Sequence, residues 1–266
     1  MAQHILVYHA VADGWEPSAA TVSVRRFRDH CAALADDGWR GVRLDALVAG
    51  HFAAGDRVFA FTADDGYASL ARMIVPTCAR YGWHGTAFIP TAVIGSDGSW
   101  DVGAWRKHRH VDWPALVEIA ATGWEIGAHG VTHRALTDLS VEEAWQELRQ
   151  AREEIEERLG LPATSVAYPF GAVSPRVAAL ARDAGYRAAV TMHPGPVERD
   201  ADLMRLPRWP VYRMDAPQHL LVRLNGPAWA RAFEQARTWA VQQFAQGTRV
   251  RMRGHRTRGR RLSWRR

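Results

Sequence analysis

The strongest constraint on the fold is a repeated alternation of short, almost wholly apolar runs with segments of helical periodicity. Strands buried on both faces of a parallel sheet read as continuous apolar runs. A repeated strand, helix, strand order produces such a sheet, and seven or eight repeats favour a closed or nearly closed barrel. The sequence therefore predicts an α/β fold, a distorted (β/α) barrel of seven or eight parallel strands. The predicted strands are residues 4–9, 41–44, 57–62, 85–89, 124–129, 165–169, 187–191 and, less regularly, 209–212.

Polar capping residues mark the predicted helices between these strands. Ser23 is placed to cap a helix that ends at a glycine, and Ser140 with Glu143 forms a capping box for a long helix. Ser174 caps a third helix and is followed by a proline, which is favoured at the first helical position. Residues 216–246 predict one or two further helices.

The positive charge of the chain is concentrated at its end. The net charge is +6, but residues 249–266 contain nine arginines and no acid. Without these nine, the chain has 25 basic residues against 28 acidic ones, a balance of −3. A run of like charges with little to bury is usually disordered and solvated. We expect a barrel domain over residues 1–248, a disordered tail over residues 249–266 and no nucleic-acid partner; contact of the tail with an anionic polymer or a membrane surface is the alternative.

The cysteines and the amino-terminal residues bear on the cellular compartment. Cys31 and Cys78 lie far apart within helical patterns and are interpreted as two buried thiols. The first residues lack the basic region, long apolar run and cleavage site of a secretory signal. No stretch reaches the roughly 18 apolar residues that a membrane helix needs. We expect a soluble, cytoplasmic protein as the sequence is written, unless a misassigned start hides an export signal.

The positions directly after the strands carry the candidate functional residues. In a barrel of this kind the active site forms at the carboxyl ends of the strands. Four clusters occupy these positions: Tyr8 with His9, Asp64 with Asp65, His129 with His133, and residues 168–171. We therefore expect these clusters to meet at one end of the barrel.

Two of these clusters together predict a metal site. His129 and His133 are four residues apart, so both imidazoles can point at one ion from one side of a helical turn. Alone, such a pair is more often structural, but a carboxylate from another strand end completes a common catalytic set. The set suits zinc, which we expect, and also cobalt, nickel, manganese or iron. If Asp65 binds the cation, Asp64 can lie beside it without the full cost of like-charge repulsion; a polar turn is the alternative.

The order of these motifs resembles a known family. The stretches are "ILVYHAV", "FTADDGY", "HGVTH" and "YPFG", followed by "VTMHPGPV" and "RLPRWPV". They are similar to motifs of the polysaccharide deacetylases, carbohydrate esterase family 4 with its chitooligosaccharide deacetylase homology domain, and among these to the poly-N-acetylglucosamine deacetylase branch. The resemblance covers residue 4 to about residue 212. It implies a barrel of the deacetylase type and metal-dependent removal of N-acetyl groups from a glycan that contains N-acetylhexosamine.

The resemblance also implies roles for individual residues. Asp65, His129 and His133 would hold the divalent metal. Asp64 would be the general base and His9 the general acid. Amide hydrolysis needs these functions, because water must be activated and the departing amine must receive a proton.

The remaining candidates concern the oxyanion and the substrate. The backbone N–H of Phe170 would help to bind the oxyanion, and Tyr168 beside it would help to bind the oxyanion or the substrate. An arginine that some family members place before the Pro-Tyr-Gly sequence is absent, and we expect Arg208 to approach Asp64 from another strand instead. Trp209 is expected to stack on a sugar ring.

Three positions depart from the family pattern. Ala63 stands in place of a phenylalanine, Gly130 in place of a serine or threonine, and Phe170 in place of a tyrosine. None of the three removes a proposed ligand or an acid/base group. We interpret them as adjustments of the site rather than as loss of function.

Three functional hypotheses follow from the sequence. The first is a metal-dependent de-N-acetylase acting on a glycan or amino-sugar substrate. The second keeps the barrel and the metal but takes a small amide or a cyclic imide, since substrate choice lies in variable loops. The third is a catalytically silent glycan-binding protein. The sequence leaves the oligomeric state open.

Overall fold

The computed structural model describes residues 3–14, 18–53, 55–97 and 108–245. Within these ranges all eight predicted strands are present, and they form one sheet in which every pairing of strands is parallel. This confirms the predicted α/β class. The strands are β1 (Ile5–Tyr8), β2 (Arg40–Val42), β3 (Val58–Ala63), β4 (Thr86–Ile89), β5 (Glu125–Ala128), β6 (Ser165–Ala167), β7 (Ala188–Val190) and β8 (Trp209–Pro210).

Helices alternate with the strands as far as β7. A π-helical turn, Leu70–Ile74, leads into the third helix, and short 3-10 turns occur at Thr91–Val93, Leu136–Asp138 and Pro169–Gly171. The α-helices are α1 (Val24–Asp36), α2 (Leu44–Ala49), α3 (Val75–Ala79), α4 (Trp113–Ala121), α5 (Val141–Leu159), α6 (Pro175–Asp183), α7 (Pro217–Asn225) and α8 (Ala228–Ala245). The last two confirm the prediction of further helices after β8.

The sheet curls into a distorted barrel. Its strand order is β7-β6-β5-β4-β3-β1-β8, and β2 pairs with the first half of β3. Val190 of β7 pairs with Leu206 in an isolated parallel bridge, three residues before β8 begins at Trp209. This bridge joins the two ends of the sheet, so the barrel closes through an irregular segment instead of a full strand pair.

The alternation of side chains along the strands decides what faces the barrel interior. Ile5 of β1 and Ala60 of β3 belong to a buried apolar cluster drawn from several strands, whereas their neighbours pack against the surrounding helices. Side chains of a strand alternate between its two faces. His9 and Asp64 lie four residues beyond Ile5 and Ala60, so the same alternation directs both of them to the interior side at the carboxyl end of the barrel.

The predicted helix caps are present. Ser23 accepts a hydrogen bond from the backbone N–H of Arg26, and Ser174 accepts one from Val177. At α5, Ser140 Oγ accepts from the N–H of Glu143 at 3.2 Å, and the Glu143 carboxylate accepts from the N–H of Ser140 at 3.0 Å. Each capping bond satisfies an N–H that has no partner within its helix.

Cys31 of α1 and Cys78 of α3 are buried free thiols, as predicted. Burial and contact with Cys31 raise the pKa of the Cys78 thiol. Both thiols pack in the hydrophobic core.

The predicted tail, residues 249–266, lies outside the described residues. The assignment of residues 1–248 to one domain stays a prediction. Among the described residues, no helix combines the length and the apolar character that crossing a membrane requires.

We predict that Ser140→Ala lowers the free energy of unfolding by about 0.5–2 kcal/mol, because the first turn of α5 loses one capping acceptor. Urea denaturation followed by far-UV circular dichroism measures this change. Glu157→Gln, an exposed change on the last turn of the same helix, is the control and should stay within about 0.5 kcal/mol of the wild type. An unchanged midpoint for Ser140→Ala would contradict the prediction.

Candidate metal centre and catalytic residues

The carboxyl ends of β1, β3 and β5 bring the predicted catalytic residues together. His9 follows β1, Asp64 and Asp65 follow β3, and His129 follows β5 with His133 four residues later. The two aspartates and the last two histidines are buried, and His9 is partly exposed. Five groups that are distant in sequence therefore share one end of the barrel.

Asp65, His129 and His133 converge on one point. Each offers one ligand atom, and these atoms lie within 4.8 Å of one another. The Nε2 atoms of the two histidines are 3.2 Å apart, and Oδ1 of Asp65 lies 3.5 Å from His129 Nε2 and 3.2 Å from His133 Nε2. Ligand atoms about 2.0–2.1 Å from a tetrahedral zinc ion are separated by roughly 3.3 Å. The three observed separations fit a divalent cation of this size.

The surroundings orient these side chains toward the common point. Nδ1 of His129 donates a hydrogen bond to the carbonyl of Ala167 at 2.7 Å, which leaves Nε2 facing the centre. Oδ1 of Asp65 is buried, yet within the described residues it accepts no hydrogen bond. A buried carboxylate oxygen without a donor is costly unless a cation satisfies it. The donor atoms of Asp65, His129 and His133 and their orientation therefore fit the coordination sphere of a metal ion.

Backbone strain concentrates at this centre. In the described parts of the chain, the non-glycine residues with positive φ are Asp65 at 69°, His133 at 56° and Phe170 at 60°. Residues with side chains rarely adopt this left-handed conformation, and such strain persists only where the surrounding structure enforces it. Nδ1 of His110 donates to the carbonyl of Asp65 at 2.9 Å and so supports one of these turns.

Arg208, which directly precedes β8, binds Asp64, the aspartate of the pair that is not a candidate metal ligand. Its two terminal nitrogens donate to the two oxygens of Asp64, each at 2.7 Å, and one of them also contacts Thr62 Oγ1 at 3.2 Å. Arg208 is fully buried and Asp64 is 3% exposed. The two parallel hydrogen bonds stabilise the ionised form of the Asp64 carboxylate and fix its rotation.

Burial alone would raise the pKa of Asp64, since it disfavours the charged form. The Arg208 guanidinium outweighs this effect and holds the pKa below its ordinary value. Burial likewise opposes ionisation of Asp65, but the imidazoles of His129 and His133 lower its pKa well below the usual range. Both adjacent carboxylates are therefore ionised at neutral pH.

His9 lies beside the pair of aspartates. It interacts electrostatically with both Asp64 and Asp65. Its Nδ1 atom is buried and has no hydrogen-bond partner among the described residues, while the residue as a whole is partly exposed. An imidazole in this position can exchange a proton with a bound molecule.

Phe170 and Tyr168 have different surroundings. The Phe170 ring packs edge-on against His133, with ring centroids 4.8 Å apart. The Tyr168 side chain is fully buried, and its hydroxyl donates to the carbonyl of Met204 at 2.9 Å. The Tyr168 phenol therefore packs in the core and does not line the site, which corrects its predicted role as a substrate-binding side chain.

The prediction that Trp209 stacks on a sugar ring is wrong. Trp209 is fully buried, and its indole N–H donates to Nδ1 of His4 at 3.4 Å. Arg223 packs over its ring at 5.9 Å. The apolar face of Trp209 is used in the core, so no surface is left for a sugar.

Sequence reasoning missed two residues that support the site. One is His110, described above, and the other is Glu147 of α5, which binds the loop between His129 and His133. His110 follows residues whose sequence shows neither helical nor strand periodicity, so nothing singled it out. Glu147 could have been found, because it lies among Ala144, Leu148 and other buried positions of α5, where a carboxylate is unexpected.

A cavity at the opposite end of the barrel contains none of these groups. It has a volume of about 350 Å³ and is lined in part by Arg40, His84 and Gly123, which lie at the amino ends of strands, and by Arg43, which follows the short strand β2. Both arginines are engaged with aspartates. The carboxyl end is therefore the better candidate for catalysis, since the convergent carboxylates and imidazoles are there.

Comparisons with solved structures identify similar folds. The deacetylase PplD from Streptococcus pyogenes in complex with acetate is 20% identical, with a TM-score of 0.73 over 85% of this chain and 99% of the other. IcaB from Ammonifex degensii is 22% identical, with a TM-score of 0.68 over 88% and 97% of the two chains. A de-N-acetylase from Aggregatibacter actinomycetemcomitans is 15% identical, with a TM-score of 0.68 over 81% and 97%. At these identities the similarity concerns the fold.

Comparison with curated protein sequences gives no significant match. A family model described as polysaccharide deacetylase, however, matches residues 53–189, just over half of the chain. The match spans both aspartates and both histidines of the candidate metal centre. The chain belongs to the polysaccharide deacetylase family.

Proposed function

We propose that this protein is a metal-dependent hydrolase that removes N-acetyl groups from a glycan containing N-acetylhexosamine. Membership of the family makes the chain a carbohydrate deacetylase, a hydrolase of carbon–nitrogen bonds other than peptide bonds. The observation that carries the metal-dependent proposal is the convergence of Asp65, His129 and His133 beside the carboxylate of Asp64. In this proposal Asp65, His129 and His133 hold the divalent metal, with zinc the metal that the donor set suits best.

The proposed reaction begins with the carboxylate of Asp64. A divalent cation bound at the centre supplies positive charge that polarises the amide carbonyl and makes water more acidic. Asp64 takes the proton of the attacking water. Arg208 uses one lone pair on each Asp64 oxygen, and each oxygen keeps a second one for this proton.

The remaining steps fall to residues of the other strand ends. The backbone N–H of Phe170 stabilises the oxyanion that forms as the carbonyl carbon becomes tetrahedral. His9 then donates a proton to the amine as the carbon–nitrogen bond breaks. Its place beside the two aspartates supports this role, as does its Nδ1 atom, which has no hydrogen-bond partner among the described residues.

We predict that protein stripped of metal by a chelator releases no acetate from N-acetylglucosamine oligomers, and that zinc or cobalt restores release. Asp64→Asn should lower kcat by about 10²–10⁴-fold, because the base is lost. His129→Ala should abolish both metal binding and activity, because it removes a ligand. Acetate release and bound metal per chain are the two measurements.

The exposed His51 provides the matched control, and His51→Ala should keep wild-type activity. A metal-loaded protein that releases no acetate from any oligomer but hydrolyses a small amide or cyclic imide would favour the second substrate class. A protein that binds glycan and no metal would contradict catalysis altogether.

We further predict that Arg208→Ala reduces kcat by about 10²-fold, because Asp64 loses its fixed orientation. The substitution also removes the charge that opposes the effect of burial, so the pKa of Asp64 rises. The ionised form is the active base, and activity is lost as pH falls through this pKa. The acidic limb of the kcat/KM profile should therefore move to higher pH.

Two further variants distinguish the effect of the Arg208 charge from that of its paired contact and from that of losing any arginine. Arg208→Lys keeps the charge without the paired contact, so the limb should move less while kcat still falls. Arg187→Ala removes an exposed arginine and should leave the profile unchanged. Loss of a buried partner can cost about 3–5 kcal/mol, so thermal unfolding is measured for each variant. A folded Arg208→Ala enzyme with the wild-type rate and profile would exclude the proposed contact from catalysis.

A further inference from the structure

We propose that Glu147 is the positioning residue for the loop that carries the two metal-binding histidines, and that residue 130 is glycine because the Glu147 carboxylate occupies the adjacent space. This inference rests on the proposed function, since it concerns the same metal centre. Glu147 accepts hydrogen bonds from Val131 and Thr132, which lie between the two histidines. It acts through the loop of residues 130–132, which connects His129 to His133.

Three donors of the loop converge on Glu147. The backbone N–H groups of Val131 and Thr132 each donate to Oε2 at 2.8 Å. The hydroxyl of Thr132 donates to Oε1. Hydrogen bonds to an ionised acceptor are shorter and about twice as strong as neutral ones. One carboxylate therefore fixes two successive peptide groups and a side chain of the loop.

The opposite edge of the same loop is held by the segment after β4. The N–H of Thr91 donates to the carbonyl of Gly130 at 3.2 Å, and the N–H of Ala92 donates to the carbonyl of Val131 at 2.9 Å. Donors on one edge and acceptors on the other are thus both satisfied. The loop is clamped between α5 and the short turn that follows β4.

The place of Glu147 in α5 argues against an incidental contact. It is 6% exposed and lies on the buried face of the helix with Ala144, Leu148 and Ala151. A carboxylate in such a position carries a large desolvation cost unless it is well hydrogen-bonded. Its partners in the described part of the chain are the three loop donors, so the compensation for its burial comes from this loop.

Gly130 leaves the space that the Glu147 carboxylate occupies. Its φ is 74°, and a Cβ atom at this position would lie 3.0 Å from Oε2 of Glu147. Any side chain at residue 130 would therefore displace the carboxylate or strain the loop. This accounts for glycine at the place where the family motif has serine or threonine. In this chain, the loop receives its support from α5.

The consequence concerns the separation of the two imidazoles. Their Nε2 atoms are 3.2 Å apart, and His133 has the strained φ of 56°. Without the clamp, the loop relaxes and His133 leaves the geometry that a small cation requires. Loss of a residue that orients metal ligands typically costs 10–100-fold in metal affinity. We expect a loss of this size when the Glu147 carboxylate is removed.

The test measures zinc affinity of metal-stripped protein by competition with a chromophoric chelator. Glu147→Ala should weaken zinc binding by about 10–100-fold, and Glu147→Gln, which keeps one acceptor oxygen, by less. Glu153→Gln, an exposed change on the same helix, should bind zinc like the wild type. Thermal unfolding of each metal-free variant is recorded alongside, because a merely structural role would lower stability without changing zinc affinity of the folded protein.

A double-mutant cycle tests the link to Gly130 and remains informative if one variant folds poorly. Gly130→Ser should weaken zinc binding in the wild type by more than it does in Glu147→Ala, since the close contact is absent from the second background. Equal effects in both backgrounds would overturn the account of Gly130. Wild-type zinc affinity in folded Glu147→Ala and Glu147→Gln would overturn the positioning role alone, while a wild-type protein that binds no zinc would overturn the proposed function as well.

Discussion

Two adjacent buried carboxylates, Asp64 and Asp65, set the requirement that the rest of the site meets. Neither can be ionised in the protein interior without nearby positive charge, and each has a separate source of it. Arg208 pairs with Asp64 through two hydrogen bonds, and the two imidazoles face Asp65 together with the cation they are proposed to share. The repulsion between neighbouring aspartates is therefore compensated on both sides, and the centre can hold two carboxylates with different roles.

The parallel sheet makes this arrangement possible at low cost. Its strands end at one edge, so charged groups that are distant in sequence meet without long excursions of the chain. Among the described residues, three that are not glycine have positive φ, and two of them, Asp65 and His133, belong to the candidate metal centre. Each of these two turns is supported from outside, Asp65 by His110 and the histidine loop by Glu147. The strand ends thus bring the functional side chains together, and His110 and Glu147 hold the turns that orient them.

The sequence predicted the strands, the helix caps and the convergence of Asp65, His129 and His133, because these depend on local patterns and on the strand-end rule. It placed Arg208 near Asp64, but it misjudged Trp209 and the Tyr168 side chain. Aromatic residues next to a site can face either the core or the substrate, and only the path of the chain decides between these. Glu147 was missed for a related reason: its partners are backbone groups, which carry no signature in the side-chain sequence.

The ion pair with Arg208 has a chemical consequence for the proposed base. A carboxylate whose pKa is held below its ordinary value is a weak base, and a weak base takes a proton efficiently only from a comparatively strong acid. Asp64 is therefore ionised and oriented at physiological pH, yet it does not activate ordinary water by itself. The three proposed ligands beside it would complete the function, because a divalent cation makes water far more acidic. In the proposed mechanism, Arg208 fixes the charge and direction of the base and a bound cation would provide the acidity, so hydrolysis of an amide would depend on both being in place.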